Sequence, residues 1–367
     1  MAFNLDFVHC TICGLVLQGD VVAFSGPHWP ELCDAPPSLK VADEEVTRYD
    51  AFANTHHGNI TFPPDRTEIH PQWDYDVNED SEDPAEWVGK MYIGIHKSCE
   101  QLLNRVMSAS PNAKVRSIGE FWLTLERRCA RSKMEDAGNI GMHFTPSIPN
   151  SQPGQSLSCG LERYYVPLPS LYLYGTEWNS WVSLNFMSEL VLALFIDIIW
   201  QWNEDPVTIP DLTTALVANL EVAPEPSSQL PKHAKQFRNQ IEELPQEVKD
   251  HICSFFQYGQ TSIECTNLMP QSMWKQVFFQ IPFLWDVDAQ IVYDKTGKET
   301  TAIETWNWEK ISRQVMSPAQ ISPHESEEDN NLGWSHDKVG LRVPDGFTNR
   351  RRIWQILEEM YPNDVQH

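Results

Sequence analysis

The chain has 367 residues, and 27 lysines and arginines against 51 aspartates and glutamates give it a formal net charge of −24. Hydrophobic residues make up 41% and aromatic residues 11% of the sequence, which supplies a packed core and excludes a wholly disordered chain. The sequence lacks the clustered basic residues that neutralise phosphates, so we expect neither a nucleic-acid partner nor an anionic membrane surface.

Two apolar segments bear on where the protein resides. Residues 1–9 lack the basic region of a secretion signal. The most apolar segment, 184–200, is interrupted by Glu189 and Asp197, whereas a membrane span needs about 20 predominantly apolar residues. We therefore expect a soluble intracellular protein, cytoplasmic or nuclear, whose eight cysteines are reduced thiols.

The predicted elements of the N-terminal half follow from composition and periodicity. Residues 26–71 are rich in proline and histidine and are predicted to be irregular. Residues 87–95 predict a short strand. Residues 96–107 and 118–131 predict amphipathic helices, because apolar residues recur there at helical spacing. Residues 183–202 are apolar nearly all round, which is typical of a buried helix.

The proline- and serine-rich segment 221–235 is the best candidate for a linker between two parts of the chain. Before it lie a cysteine- and histidine-containing region, 1–110, and a helical or mixed central region, 111–220. After it lie a helical module, 236–290, and an extension rich in tryptophan and arginine, 291–367. The predicted fold class is α+β and mostly helical, with a C-terminal helical module joined to a larger N-terminal mixed domain.

An amphipathic helix is predicted directly after the linker. Leu244, Val248, Ile252, Phe255 and Phe256 recur at i, i+4, i+8, i+11 and i+12, which places them on one helical face. Pro245 suits the start of this helix, because its fixed φ is already helical and its missing N–H costs no hydrogen bond there. By itself this pattern fits either a core helix or a helix that presents its apolar face to a partner.

The segment 241–256 resembles an F-box, a helical module that binds the adaptor subunit of SCF-type cullin–RING ubiquitin ligases. Further matches in order along the chain resemble a family of fungal F-box proteins. They are the Met-Pro-Gln-x-x-Trp-Lys segment at 269–275, the Phe-Leu-Trp-Asp element at 283–286, the Trp-Asn-Trp-Glu at 306–309 and the Asn-Arg-Arg-Arg-Ile-Trp at 349–354. The loop at 259–267 departs from the family pattern, since most F-boxes carry a leucine-rich helix there.

The resemblance implies an F-box-type adaptor that recruits an unknown protein to the ligase through residues 241–285 and is not itself an enzyme. The residues expected in the groove of the adaptor subunit are Leu244, Pro245, Val248, Ile252 and Phe255. The sequence also lacks the nucleophile-elbow, dinucleotide, phosphate-loop and zinc-protease motifs. The alternative is a zinc-stabilised structural or protein-interaction protein whose F-box-like helices belong to its core. Solvent exposure of Val248 and Ile252 discriminates between them.

Two short motifs near the N-terminus have the spacing of metal ligands. The four candidate ligands are Cys10, Cys13, His96 and Cys99. A Cys-x-x-Cys turn and a His-x-x-Cys pair would complete a tetrahedral Cys₃His zinc site of the structural kind. The fungal family resembles the chain in both motifs as well. Because 82 residues separate the pairs, chance occurrence with Cys99 as a core residue stays open, as do His9 and Cys33 as substitute ligands.

Overall fold

The computed structural model describes residues 10, 12–13, 19–27, 38–54, 59–62, 67–69, 93–125, 204–224, 231–256, 262–297, 303–319 and 334–360. The chain divides into two compact units, of which the first comprises 1–203, 320–333 and 352–367 and the second comprises 204–319 and 334–351. The described residues form an α+β fold that is mostly helical, as predicted. The predicted linker, 221–235, falls within the range of the second unit.

The described part of the first unit contains an antiparallel sheet of five strands. The strands are β1 (Gly19–Ser25), β2 (Thr47–Asn54), β3 (Asn59–Phe62), β4 (Thr67–Ile69) and β5 (Ile93–His96). Their order is β4-β3-β2-β1-β5, so β1 lies between β2 and β5. The apolar run Val21 to Phe24 within β1 is entirely buried, which explains why this strand reads as continuously hydrophobic.

Strands β2, β3 and β4 lie inside residues 26–71, so the prediction that this segment is irregular was wrong for these residues. Thr47, Arg48 and Asp50 at the start of β2 are exposed and polar, and they give little of the apolar alternation that marks a strand. The backbone of β2 forms its hydrogen bonds with the buried strand β1, and this pairing is not visible in the local sequence pattern. A short 3₁₀ turn, Asp43–Glu45, precedes β2.

Helix α1 (Lys97–Ala109) begins immediately after β5 and confirms the helix predicted from residue 96. Its apolar face is buried as the periodicity predicted: Cys99, Leu102, Leu103 and Val106. A second helix, α2, is described over residues 118–125, the first part of the predicted helix 118–131. The rest of that helix, most of the predicted strand 87–95, and the predicted helix 183–202 lie outside the described residues.

Residues of the second unit contribute to seven helices. They are α3 (Leu212–Ala218), α4 (Lys232–Glu242), α5 (Gln246–Phe255), α6 (Gln271–Gln280), α7 (Ala289–Thr296), α8 (Trp308–Val315) and α9 (Asp345–Glu359). A 3₁₀ turn, His336–Val339, precedes α9. By the division given above, residues 345–351 of α9 belong to the second unit and residues 352–359 to the first. In the described ranges no helix has both the length and the apolar character required to span a bilayer.

The core of the second unit forms where α6 packs against α8. Trp274 and Trp308 are buried, and the ring of Phe278 lies 5.5 Å from that of Trp308. Glu309 is completely buried, and its carboxylate accepts hydrogen bonds from the backbone N–H groups of Thr266 at 2.7 Å and Asn267 at 2.8 Å. These bonds fix the segment before α6 and compensate for the burial of the carboxylate.

Candidate metal centre and exposed helix face

The four candidate ligands lie at two structural junctions of the first unit. His96 is the last residue of β5 and the N-cap of α1, and Cys99 stands in the first turn of that helix. Cys10 and Cys13 flank a turn ahead of β1. The three cysteines are each at most 1% exposed, whereas His96 is partly exposed. The strand-to-helix junction therefore presents one ligand pair, and the N-terminal turn presents the other.

The structure brings all four predicted ligands together. Their donor atoms all lie within 4.8 Å of one another, and the Sγ of Cys13 is 3.4 Å from the Nδ1 of His96. Bonds of about 2.3 Å to sulfur and about 2.0 Å to nitrogen place the donors of a tetrahedral site about 3.5 Å apart. The cluster therefore has the composition and the approximate spacing of a four-coordinate metal centre. The substitute ligands His9 and Cys33 lie outside the described residues.

The ligands of the cluster strongly perturb each other's pKa values. Burial by itself raises the pKa of Cys13, but hydrogen bonds from Cys10 and Cys99 and the charge of His96 outweigh it, so that the pKa is well below its usual value. Burial lowers the pKa of His96, but the attraction of the Cys13 and Cys10 sulfurs exceeds this effect and raises it. Hydrogen bonds to Cys10 and Cys13, together with burial, raise the pKa of Cys99. The surroundings therefore favour an anionic sulfur at Cys13, which is the form that binds metals.

Arg352, at the start of the part of α9 that belongs to the first unit, lies against this cluster. Its Nη1 donates a hydrogen bond of 2.9 Å to the carbonyl oxygen of Cys13, and the residue is completely buried. Burial lowers its pKa, while the charges of the Cys13, Cys99 and Cys10 sulfurs act in the opposite direction. Local sequence patterns do not indicate this contact, because 339 positions separate Arg352 from Cys13.

The five residues predicted to bind the adaptor subunit lie at the start and along one face of α5. Val248 is 41% exposed and Phe255 is 61% exposed. Leu244 and Ile252 are half-buried, and Pro245, the N-cap of the helix, is exposed. The apolar stripe that the sequence predicted is therefore accessible to solvent over much of its length.

Helix α5 packs on its neighbours through a different face. Among its ten residues only Cys253 is buried, and its Sγ lies 3.6 Å from the carbonyl oxygen of Met273. Phe256, directly after the helix, was predicted to share the stripe but packs on α6 instead, with its ring 4.7 Å from that of Trp274. At about 100° per residue, Cys253 stands about 140° around the helix axis from Val248. The packing of α5 therefore leaves the Val248 side of the helix uncovered.

The chain was compared with protein families, curated proteins and solved structures. No family model, curated protein or solved structure matches the chain. The function proposed for the protein consequently depends on its residue patterns and on the geometry of the metal cluster and of α5.

Proposed function

We propose that the chain is an F-box-type adaptor that recruits a protein partner to an SCF-type ubiquitin ligase through residues 241–285. The observation that supports this proposal is the exposure of Val248 and Phe255 on one stripe of α5. Large apolar side chains grouped on an exposed helical face are typical of surfaces that bind another protein. Because this segment resembles an F-box, we propose the adaptor subunit of the ligase as the partner.

The geometry of α5 suits binding in a groove. Val248, Ile252 and Phe255 follow one another at i, i+4 and i+7, which is the arrangement of anchor residues when a helix enters an apolar groove. Because Cys253 holds the helix to α6 through another face, a partner can cover Val248 and Phe255 without unpacking the second unit. Of the two residues that discriminate between the alternatives, Val248 is exposed and Ile252 is half-buried. The exposure of Val248 favours the adaptor over a protein whose F-box-like helices only complete a core.

Binding of the purified adaptor subunit to the full chain tests this proposal. We expect the wild-type chain to bind it and the double variant Val248→Asp/Phe255→Asp to lose binding by at least tenfold, since both changes place charge in an apolar contact. Ile291→Asp is the matched control, because Ile291 is 40% exposed on α7. The control variant should bind like the wild type.

Two results would contradict the adaptor role. Absence of binding by the wild-type chain at micromolar concentrations would mean that the chain is not a ligase adaptor. Equal losses of binding in the Ile291→Asp control and in the double variant would mean that the α5 stripe is not the contact surface. Circular dichroism of each variant establishes that the substitutions leave the helices intact.

We further propose that the Cys₃His cluster binds one Zn²⁺ ion and that this ion stabilises the first unit. Three thiols and one imidazole within 4.8 Å form the donor set that zinc prefers in structural sites. Four protein ligands fill a tetrahedral shell and leave no position for a substrate or water, so a stabilising role is favoured over a catalytic one. Elemental analysis of the purified chain tests this, with about one zinc per chain expected and none contradicting it.

A further inference from the structure

With zinc bound, the proposed metal centre would carry a net negative charge. Three thiolates and one neutral imidazole around a divalent ion leave one net negative charge. Cys10, Cys13 and Cys99 are buried, so water is largely excluded from the sulfurs that carry this charge. Burying a net charge is unfavourable unless an opposite charge lies near it.

Arg352 occupies the place where such a charge is needed. Its guanidinium is completely buried and donates Nη1 to the carbonyl oxygen of Cys13, 2.9 Å away. The contact is to a ligand residue itself, so the cationic group lies next to the Cys-x-x-Cys turn. Arginine stays protonated even where burial penalises its charge, which makes it suited to a permanent counter-charge.

We propose that Arg352 is the counter-charge of the metal centre and that it raises the affinity of the cluster for zinc. This inference rests on the proposed zinc centre, and it assigns a role to a residue distant in sequence from every ligand. A positive charge held at the Cys-x-x-Cys turn favours the negatively charged metal-bound form of the cluster. The hydrogen bond to the carbonyl oxygen of Cys13 also helps to hold the turn that carries the thiols of Cys10 and Cys13.

The two preceding arginines are bound elsewhere. Within the second unit, the guanidinium of Arg350 forms hydrogen bonds of 2.7 and 2.6 Å to the two carboxylate oxygens of Asp286. Arg351 donates to the backbone carbonyls of Met316 and Ser317. Three consecutive arginines therefore have three separate environments, and Arg352 is the member of the run that meets the cysteine cluster.

Two substitutions in the full chain separate the charge of Arg352 from its hydrogen bond. Arg352→Lys keeps a positive charge and a donor, whereas Arg352→Gln keeps a donor and removes the charge. In competition with a chromophoric zinc chelator, we expect the lysine variant to stay within a few-fold of the wild-type affinity. The glutamine variant should bind zinc about 10–100-fold more weakly, the usual loss when a group that supports metal ligands is removed.

A pH titration of zinc release gives a readout that a purely structural role would not change. Without the counter-charge, protons compete better for the sulfurs, so the Arg352→Gln variant should release half of its zinc at a higher pH than the lysine variant. Arg116→Gln is the matched control, because Arg116 lies in the same unit and donates to the backbone carbonyls of Met107 and Ser110. The control should leave both zinc affinity and the release pH unchanged.

The outcomes distinguish this inference from the zinc proposal on which it rests. A wild-type chain that binds no zinc contradicts the zinc centre itself. A chain that binds zinc equally well with lysine or glutamine at position 352 overturns only the counter-charge. If the variants fold only with metal, the zinc concentration needed for folding is measured instead of the affinity. The glutamine variant should then need a higher zinc concentration than the lysine variant. Failure of both variants to fold at any zinc concentration would also overturn the proposal, since a retained charge would then be insufficient.

Discussion

The Nδ1 of His96 lies 3.4 Å from the Sγ of Cys13, although 83 positions separate these residues in the sequence. The pairing of β5 with β1 explains this proximity. In the antiparallel register, His96 stands opposite Val21, so the end of β5 lies beside the start of the strand that follows the Cys-x-x-Cys turn. The sheet therefore places His96 close to the Cys10–Cys13 turn, and the first turn of α1 carries Cys99 to the same place.

Removal of the metal should loosen the first unit and leave the second unit intact. Treatment with a strong zinc chelator should increase amide hydrogen exchange in β5 and α1, because ligand binding energy contributes to the folding of the segments that carry the ligands. Exchange in α6 and α8 should not change. Hydrogen exchange measured by mass spectrometry checks both expectations on the full chain.

Substitution of a single ligand should reproduce the effect of chelation. Cys99→Ser removes one sulfur donor, and zinc content should fall from about one equivalent towards zero. Cys265→Ser is the control, since Cys265 is half-buried in the second unit and lies outside the cluster. Unchanged zinc content in Cys99→Ser, or equal losses in both variants, would contradict the assignment of this ligand.

Gly119 is predicted to be intolerant of a side chain. A Cβ atom at this position would stand 2.0 Å from the carbonyl oxygen of Val41, and backbone cannot yield as a flexible side chain would. Gly119→Ala should therefore lower the free energy of unfolding by about 1–3 kcal/mol, the usual cost of overpacking. Denaturant titration measures this, with Asn104→Ala on the exposed side of α1 as a control that should cost little. An alanine variant as stable as the wild type would show that α2 can move away from residue 41.

Removal of the carboxylate of Asp286 should destabilise the second unit. Asp286→Ala leaves the completely buried guanidinium of Arg350 without its bidentate partner; because the Asp286 side chain is itself 28% exposed, the loss should be about 1–3 kcal/mol. Asp50→Ala breaks an exposed pair with Arg48 and should change stability very little. Urea unfolding of the two variants compares these losses. Similar stabilities would mean that the backbone carbonyls of Pro206 and Val207 suffice to hold Arg350.

His336 should make the stability of the second unit depend on pH. Burial, assisted by the charge of Arg351, lowers the pKa of this imidazole from 6.5 to about 3. At His336, the unfolded chain therefore binds up to one more proton than the folded chain between about pH 3 and 6.5. The stabilisation from neutral His336 is complete above pH 6.5, and it falls by about 1.4 kcal/mol per pH unit as the pH drops through that window.

Urea titrations at several pH values give the slope of the unfolding free energy against pH. This slope tests the dependence even if a variant differs from the wild type in absolute stability. His336→Gln should remove this contribution from the slope between pH 4 and 6, because a glutamine at position 336 does not titrate. His233→Gln, at an exposed position of α4, should retain it. Identical slopes in the wild type and His336→Gln would contradict the prediction. They would show that protonating this imidazole costs no free energy of folding, and thus that the ring is not buried as a neutral group.

The sequence by itself determined the features that depend on neighbouring residues. Helical periodicity predicted α1 and α5, and local spacing identified the Cys10–Cys13 and His96–Cys99 pairs. The pairs predicted a metal site only on the condition that the fold brings them together, and local spacing carries no information on that condition.

Tertiary structure decided the rest, because those features depend on contacts between distant parts of the chain. The register of β5 on β1 brings the two ligand pairs together, and β2, whose first residues are polar and exposed, forms by pairing with β1. Arg352 reaches Cys13 across 339 positions. Likewise, periodicity shows that Val248 and Phe255 share a face, but only the packing of Cys253 against α6 decides that this face is exposed, since burial is set by what covers a side chain.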